Sequence, residues 1–383
     1  MAPAKKLKIW KPTRWSRWFL LFLVLAIGGF VLTISHTSPC PAATRADGPG
    51  TMQAIHYRCY GPPSVLQLES ASKPQPEDDM LLIKVHAAAV NPLDWHFMRG
   101  EPYLLRTKSG IGAPDDPRIG MDFSGTVEAV GKSVKSFKPG DQVFGGTQGA
   151  FAEYTSVRQG DAIALKPAGV SHAQAAAIPI AASTALQALR DQGHLKAGEK
   201  VLVNGASGGV GTYAVQIAKA MGAEVTGVCS TRNVSLVASL GADRVLDYTS
   251  VDFTAGDARY DLIVDTVGNR NLRDLEKVLA PGGIAVIVGG PGRDPWLGPL
   301  NVPIKIFAYR AFTEREFKFF VARLNPQDLH YLAGLMESGR MKSVIDQRFP
   351  LAKVPEAVAY VEAGHARGKV VIDVDPTSAS AAP

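Results

Sequence analysis

The 383-residue sequence predicts an α/β protein: a β-rich, barrel-like domain, then a doubly wound parallel sheet, with one transmembrane helix ahead of both. Three observations carry that prediction. A sixteen-residue run without a charge, FLLFLVLAIGGFVLTI, occupies positions 19–34. Short strand-like runs separated by turn residues fill the stretch after Met52. The segment KVLVNGASGGVGTYAVQIAKAMGAEVTGVCS, residues 200–230, then reads as strand, glycine-rich turn, helix and strand.

The uncharged run comes close to the ~20 apolar residues of a membrane-spanning helix, and Trp15 and Trp18 extend it at the front. A cleaved secretory signal is the competing reading, but the run is longer than a usual signal core and no close small-x-small site follows it. The first eighteen residues carry Lys5, Lys6, Lys8, Lys11, Arg14 and Arg17 and no acid, whereas only Arg45 occurs in the twenty residues after the run. The positive-inside rule then places the N-terminus in the cytoplasm and the body outside, away from cytoplasmic cofactors. Translation from Met52 is a third possibility. Residues 36–51, rich in Pro, Ser, Ala and Gly, read as a tether.

Removing those six basic residues from the 41 leaves 35 against 35 acidic residues. A neutral body excludes a phosphate-tracking surface, so no nucleic-acid partner is expected. Cys40, Cys59 and Cys229 are too few and too scattered for a disulfide framework or a four-cysteine zinc site, and no histidines stand at metal-ligand spacing.

After Met52, residues 81–90, 122–130 and 141–146 are strand candidates, separated by breakers such as Gly131 and Pro139-Gly140. No long amphipathic helix precedes Ala173, so this part is all-β with loops. An alanine-rich helical stretch, AQAAAIPIAASTALQALRD, then leads into the glycine turn.

That turn comprises Gly205, Ala206, Ser207, Gly208, Gly209, Val210 and Gly211. Gly208 and Gly211 take the second and third glycine positions of the dinucleotide fingerprint, with Ala206 at the first. Small residues there let backbone approach a pyrophosphate at a helix N-terminus. Further strands are expected at 244–248, 261–268 and 284–290. The second strand ends in Ser230, Thr231 and Arg232, with no acid to hold a ribose 2′-hydroxyl. Hydroxyls and a guanidinium suit a 2′-phosphate, which points to NADPH.

Together with the closing GKVVI, these residues resemble the medium-chain dehydrogenase/reductases, in particular the zinc-independent quinone oxidoreductase branch that includes the reticulon-4-interacting-protein-like reductases. The similarity covers roughly residues 52–375. It implies a GroES-like domain over 52–176, a Rossmann NADP-binding domain over 177–342, a return of 343–375 to the first domain, and a tail at 376–383. The active site would lie in the cleft between the domains. It also implies Tyr248 near the adenosine phosphate, Ser183 and Thr184 near the nicotinamide, and Lys369 close to the cofactor. Asn91 stands where the zinc relatives carry a catalytic cysteine, and Met121-Asp122 replaces their His-Glu pair. A zinc route is therefore not expected.

Without a metal, hydride from NADPH goes to an acceptor that is already polarised, a quinone or an α,β-unsaturated carbonyl. Asn91 is the expected hydrogen-bond donor and His96 the expected proton donor. The alternatives are an NADPH-binding scaffold or redox sensor, and a zinc-free alcohol or aldehyde oxidoreductase. A single-pass membrane anchor is expected, and the apolar edge near residues 314–326 makes a homodimer a further expectation.

Overall fold

The computed structural model describes residues 14–44, 46–290 and 294–375. Most of the expected basic segment, the first thirteen residues, and the tail at 376–383 lie outside the described residues. β1 (Thr51–His56) and β2 (Gln67–Ser72) pair antiparallel as a small sheet of their own, and the first large sheet contains β3 (Met80–Val90), β4 (Asp122–Val130), β5 (Gln142–Gly146), β6 (Tyr154–Arg158) and β7 (Ile163–Leu165). β3 is the hub of this domain, pairing with both β4 and β6. Its apolar residues Leu81, Ile83 and Val85 alternate at the strand period and pack with Phe123, Val143 and Phe151 in one core.

The second sheet contains β8 (Lys200–Asn204), β9 (Glu224–Cys229), β10 (Arg244–Asp247), β11 (Tyr260–Asp265), β12 (Leu279–Ile287) and β13 (Glu316–Phe319). All six run parallel in the order β10-β9-β8-β11-β12-β13. Chain order reverses between β8 and β11, and a crevice opens at the carboxyl ends of strands on either side of such a reversal. β14 (Ile345–Pro350) and β15 (Lys369–Asp373) then return to the first sheet, where β15 pairs antiparallel with β3.

The helices that matter for the site are α1 (Arg14–Ser35), α2 (Pro92–Arg99), α3 (Arg106–Ser109), α4 (His172–Ala176), α5 (Pro179–Gln187) and α6 (Gly209–Ala220). Next come α7 (Val234–Ser239), α8 (Leu272–Lys277), α9 (Asn301–Tyr309), α10 (Pro326–Glu337) and α11 (Val354–Glu362). The alanine-rich stretch expected as one helix is two. Pro179 lacks an N–H and opens α5 instead of continuing α4.

The N-terminal expectations need correction. The apolar run is helical, but no helix among the described residues is long and apolar enough to cross a membrane. The uncharged run at 19–34 rises only about 24 Å as a helix, against ~30 Å of hydrocarbon. Ile34 then enters the protein and is 2% exposed. Nor are residues 36–51 a free tether. Ser38 N–H donates to Gly112 O and Ala46 N–H to Ser70 O, while Cys40 and Cys59, which look scattered in the sequence, form a disulfide with Cα atoms 5.0 Å apart.

One side chain organises this junction. The Arg106 guanidinium is buried with no carboxylate partner among the described residues and donates to the carbonyls of Ile34 (3.2 Å), Ser35 (3.3 Å) and His36 (2.8 Å) at the end of α1. It also donates to Gly100 O at 2.8 Å and Arg99 O at 3.3 Å, and its plane lies over Tyr60 and Tyr103. The carbonyl end of a helix is where a cation is favoured. Arg106→Ala is expected to lower unfolding stability by about 3 kcal/mol in urea titrations. Arg106→Lys, a point charge that cannot span five carbonyls, should fall between alanine and wild type.

Candidate active site in the interdomain cleft

A cleft of about 1020 Å³ opens at the reversal point of the parallel sheet, between the two domains. One wall is the glycine turn. Gly205 follows β8 with φ +83°, and a Cβ there would run into Thr266 Oγ1. Gly208 is the N-cap of α6, whose first-turn N–H groups have no intrahelical acceptor and favour an anion. A Cβ on Gly208 or Gly209 would meet nothing closer than 3.4 Å, so the turn forms a shallow backbone cradle. Gly205, Ser207, Gly208, Gly209 and Val210 line the cleft. Ala206 and Gly211 instead lie beneath it. Ala206 is buried, with its N–H on Val228 O, and a Cβ on Gly211 would strike Gly205 O.

At the far end, Ser230, Arg232 and Tyr248 line the cleft, Tyr248 half exposed. Arg232 donates to His365 O at 3.0 Å, which holds the guanidinium across the cleft mouth. Thr231 faces away, its hydroxyl donating to Asp247 at 2.6 Å. Asp247, the nearest acid, is thus occupied by Thr231 and Thr249. Between these groups sits Asn233, absent from the sequence expectations, whose amide donates to Ser207 Oγ and Ser230 Oγ. Asn233 lines the cleft, and its Oδ1 is buried without a partner among the described residues. A bound nucleotide's polar groups would fit this donor-rich wall.

The centre of the cleft is lined by Asn91, Pro92, Trp95, Ile180, Thr266 and Lys369, among others. Three of the surrounding groups form a buried charged cluster. Lys369 Nζ donates to Asn91 Oδ1 at 2.5 Å and to Val90 O at 3.1 Å, and stands 3.5 Å from Asp122 Oδ2. Asn91 Nδ2 donates in turn to Asp122 Oδ2 (2.9 Å) and Ala89 O (3.3 Å). Both amide hydrogens are therefore engaged within the protein, and Asn91 orients the cluster rather than offering a donor to substrate. Burial pushes Lys369 down and Asp122 up, and their proximity opposes both shifts. Lys369 also approaches Gly209 through its Cδ, so its position next to the cofactor turn is as expected from the sequence.

His96 does not line the cleft. Its ring stacks on Trp95 at 3.6 Å, and Nδ1 hydrogen-bonds Glu101 O at 2.8 Å. Burial lowers its pKa, with the Glu101 carbonyl opposing the shift, and its contacts are those of a packed histidine. Thr184 is similarly turned away, donating to Ile180 O within α5, and Ser183 is fully buried. Neighbours that sequence reasoning passed over do reach the cleft: Arg99, held by Glu362 through two bonds of 2.8 and 3.0 Å, and Glu101, whose carboxyl is raised by burial. Across the crevice, Asn204 at the end of β8 donates to Asp265 at 2.8 Å and to Asn269. Asp265 also accepts the N–H groups of Val267 and Gly268, fixing the loop that lines the cleft.

Residues 77–167 match a family model described as alcohol dehydrogenase GroES-like domain, and residues 240–372 one described as zinc-binding dehydrogenase. A 2-methylene-furan-3-one reductase of Solanum lycopersicum is 36% identical over 363 residues, 90% of this chain and 86% of that protein. The mitochondrial NAD(P)H oxidoreductase RTN4IP1 of Homo sapiens is 36% identical over 328 residues, 77% of this chain and 81% of that protein. The chain belongs to the medium-chain dehydrogenase/reductase superfamily, in its quinone oxidoreductase-like branch. Among solved structures, the quinone oxidoreductase from Coxiella burnetii superposes with a TM-score of 0.75 at 31% identity, covering 85% of this chain and 100% of that one.

The zinc in the name of one family model does not suit this member. At the position between Asn91 and Asp122 the donor set is an amide, a carboxylate and an ammonium group, and a fixed cation repels a second one. Among the described residues no three His, Cys, Asp or Glu side chains gather as a metal site.

Asp94 lies under the cluster. It accepts the Asn91 N–H at 2.7 Å, leaves Oδ1 without a partner, and is raised by burial to about 7. An ordinary aspartate releases its proton near pH 4, so the unfolded chain loses that proton first and folding weakens as pH climbs from 4 to 7. Asp94→Asn should remove up to about 4 kcal/mol of that decline. Urea midpoints at pH 5 and pH 8 check this: the wild type should lose more between them than the variant.

Proposed function

We propose that the protein is an NADPH-dependent reductase that transfers hydride to a quinone or an α,β-unsaturated carbonyl in the cleft, and that helix α1 attaches it to a membrane. The single observation that carries the catalytic part is the continuous wall from the glycine turn through Ser230, Arg232 and Tyr248 to the Asn91–Lys369 cluster. It offers anion-binding backbone at one end and a buried ammonium, set beside Asp122, at the other. The names of the relatives, an NAD(P)H oxidoreductase and a 2-methylene-furan-3-one reductase, support the same reading.

When bound, NADPH supplies the hydride. The turn and the α6 N-terminus would hold its pyrophosphate, and Arg232, with Ser230, would meet the 2′-phosphate. Lys369 holds positive charge beneath the acceptor, where negative charge grows as hydride arrives. Asn91 and Asp122 keep that ammonium in place. Of the cleft-lining acids, Glu362 is tied to Arg99, whereas Glu101 makes no ion pair among the described residues and has its pKa raised by burial. Glu101 is thus the group in the cleft best suited to give the acceptor a proton.

Membrane attachment rests on α1, where Phe22, Leu23, Val24 and Leu25 are exposed in succession, and on the basic residues that precede the run. Sedimentation of the full chain with vesicles tests it. A protein that stays in solution would remove this part of the reading.

Two further outcomes test the catalytic part. Arg232→Ala should reduce the preference for NADPH over NADH by between ~10- and ~100-fold in kcat/KM, the worth of a charge-assisted pair, while NADH turnover stays near wild type. Absence of nucleotide binding by the wild type would overturn the reading. For an enone acceptor, Glu101→Gln should lower kcat by roughly 100-fold and flatten its pH profile, whereas His96→Gln should change it by less than about threefold. The reverse pattern would return the acid role to His96.

A further inference from the structure

The junction between α1 and the cleft carries a second consequence. Consecutive residues of a helix point about 100° apart. Phe22, Leu23, Val24 and Leu25, between 45% and 70% exposed, therefore present apolar groups to every side of α1. A protein partner, or a second copy of this chain, would cover one stripe of such a helix. An apolar medium covers all of it.

The body cannot stand away from whatever surrounds that helix. Arg106 binds the last carbonyls of α1 and, with the same guanidinium, the carbonyls of Arg99 and Gly100, next to residues that line the cleft. The Cys40–Cys59 disulfide closes the connection a few residues further on. From this point an apolar band continues over the body. Leu104 is exposed beside Tyr103, whose N–H donates to Pro295 O at 2.7 Å and whose ring meets Trp296 at 4.9 Å. Trp296 is 40% exposed, and beyond it Leu300, Ile304 and Phe307 recur at helical spacing along one face of α9, with Phe307 78% exposed. Lys305 and Arg310 are exposed on the same helix or directly after it, cations placed as at a membrane surface.

We propose that this band rests on the surface of a lipid bilayer into which α1 inserts, so that the cleft beside Arg99 and Glu101 opens toward the membrane and takes a quinone dissolved in lipid. The inference rests on the proposed quinone reduction and membrane attachment, and it goes further by assigning the docking face and the physical state of the acceptor. The step remains a two-electron one. Hydride from NADPH and one proton convert the quinone to its hydroquinone, leaving NADP⁺.

The test uses the full chain on vesicles of phosphatidylcholine and phosphatidylglycerol, with the double variant Ile304→Asp/Phe307→Asp, neither residue lining the cleft. Against a long-chain isoprenoid quinone carried in the vesicles, the variant should lose at least tenfold in kcat/KM. Against a water-soluble benzoquinone it should match wild type. Vesicles should also slow amide hydrogen exchange over residues 300–309 of the wild-type protein. Equal loss on both quinones, no loss on either, or no added protection would overturn the docking face. So would a shift from dimer to monomer in the variant, which would assign the band to self-association. If the wild type reduces no quinone at all, the proposed function fails. The exchange measurement alone then decides the docking face, since protection at 300–309 supports it and its absence rejects it.

Discussion

Everything in the cleft depends on how one buried ammonium is held. Lys369 enters at the first residue of β15, and its side chain runs inward to Asn91, Val90 and Asp122, where only 3% of it is exposed. Burying an unpaired ammonium costs on the order of several kcal/mol, so the group is tolerable only with acceptors around it. Those acceptors come from the ends of β3 and the start of β4, two strands already paired in the first sheet. The preceding residue, Gly368, donates its N–H to Ser207 O and bridges Gly208 of the cofactor turn. A single short segment thereby fixes the returning strand, the floor of the active site and the glycine turn of the other domain.

This arrangement also decides the chemistry. Where metal-dependent relatives need ligands, this chain has a fixed positive charge and an amide turned to serve it. The Lys369 ammonium, set beside Asp122, acts on charge at an acceptor oxygen by electrostatics alone and offers no open coordination position to an alcohol oxygen. Asn91 contributes by orientation. Its two amide hydrogens and its oxygen are all committed, and through its N–H it keeps Asp94 in the same buried set.

Much of this was legible in the sequence. The glycine turn lies in its expected βαβ context, the 122–130 and 224–229 strands fall where periodicity puts them, and the missing acid after β9 reads as a cofactor preference. What periodicity could not supply is the direction of side chains near the turn. His96 sits five residues from Asn91, which in a loop would point both at the substrate. The Asp94 side chain instead accepts the Asn91 N–H at the start of α2, and the helix carries His96 round onto Trp95 and Glu101 O. Thr184 is lost to the cleft for a similar reason, being bonded one turn back along α5. The contacts of Arg106 with residues 34–37 and the Cys40–Cys59 pair are long-range features with no local pattern. Only the folded chain brings them together. The length of the uncharged run likewise says nothing of Ile34 being drawn into the body.

The direct test of the central claim is a metal inventory coupled to turnover. The purified full chain would be assayed by mass spectrometry for bound zinc, then for NADPH-driven quinone reduction before and after exhaustive chelation. With Lys369 holding the charge, zinc should be far below one per chain and the rate unchanged by the chelator. One zinc per chain, with activity lost on its removal and restored on its return, would contradict the account.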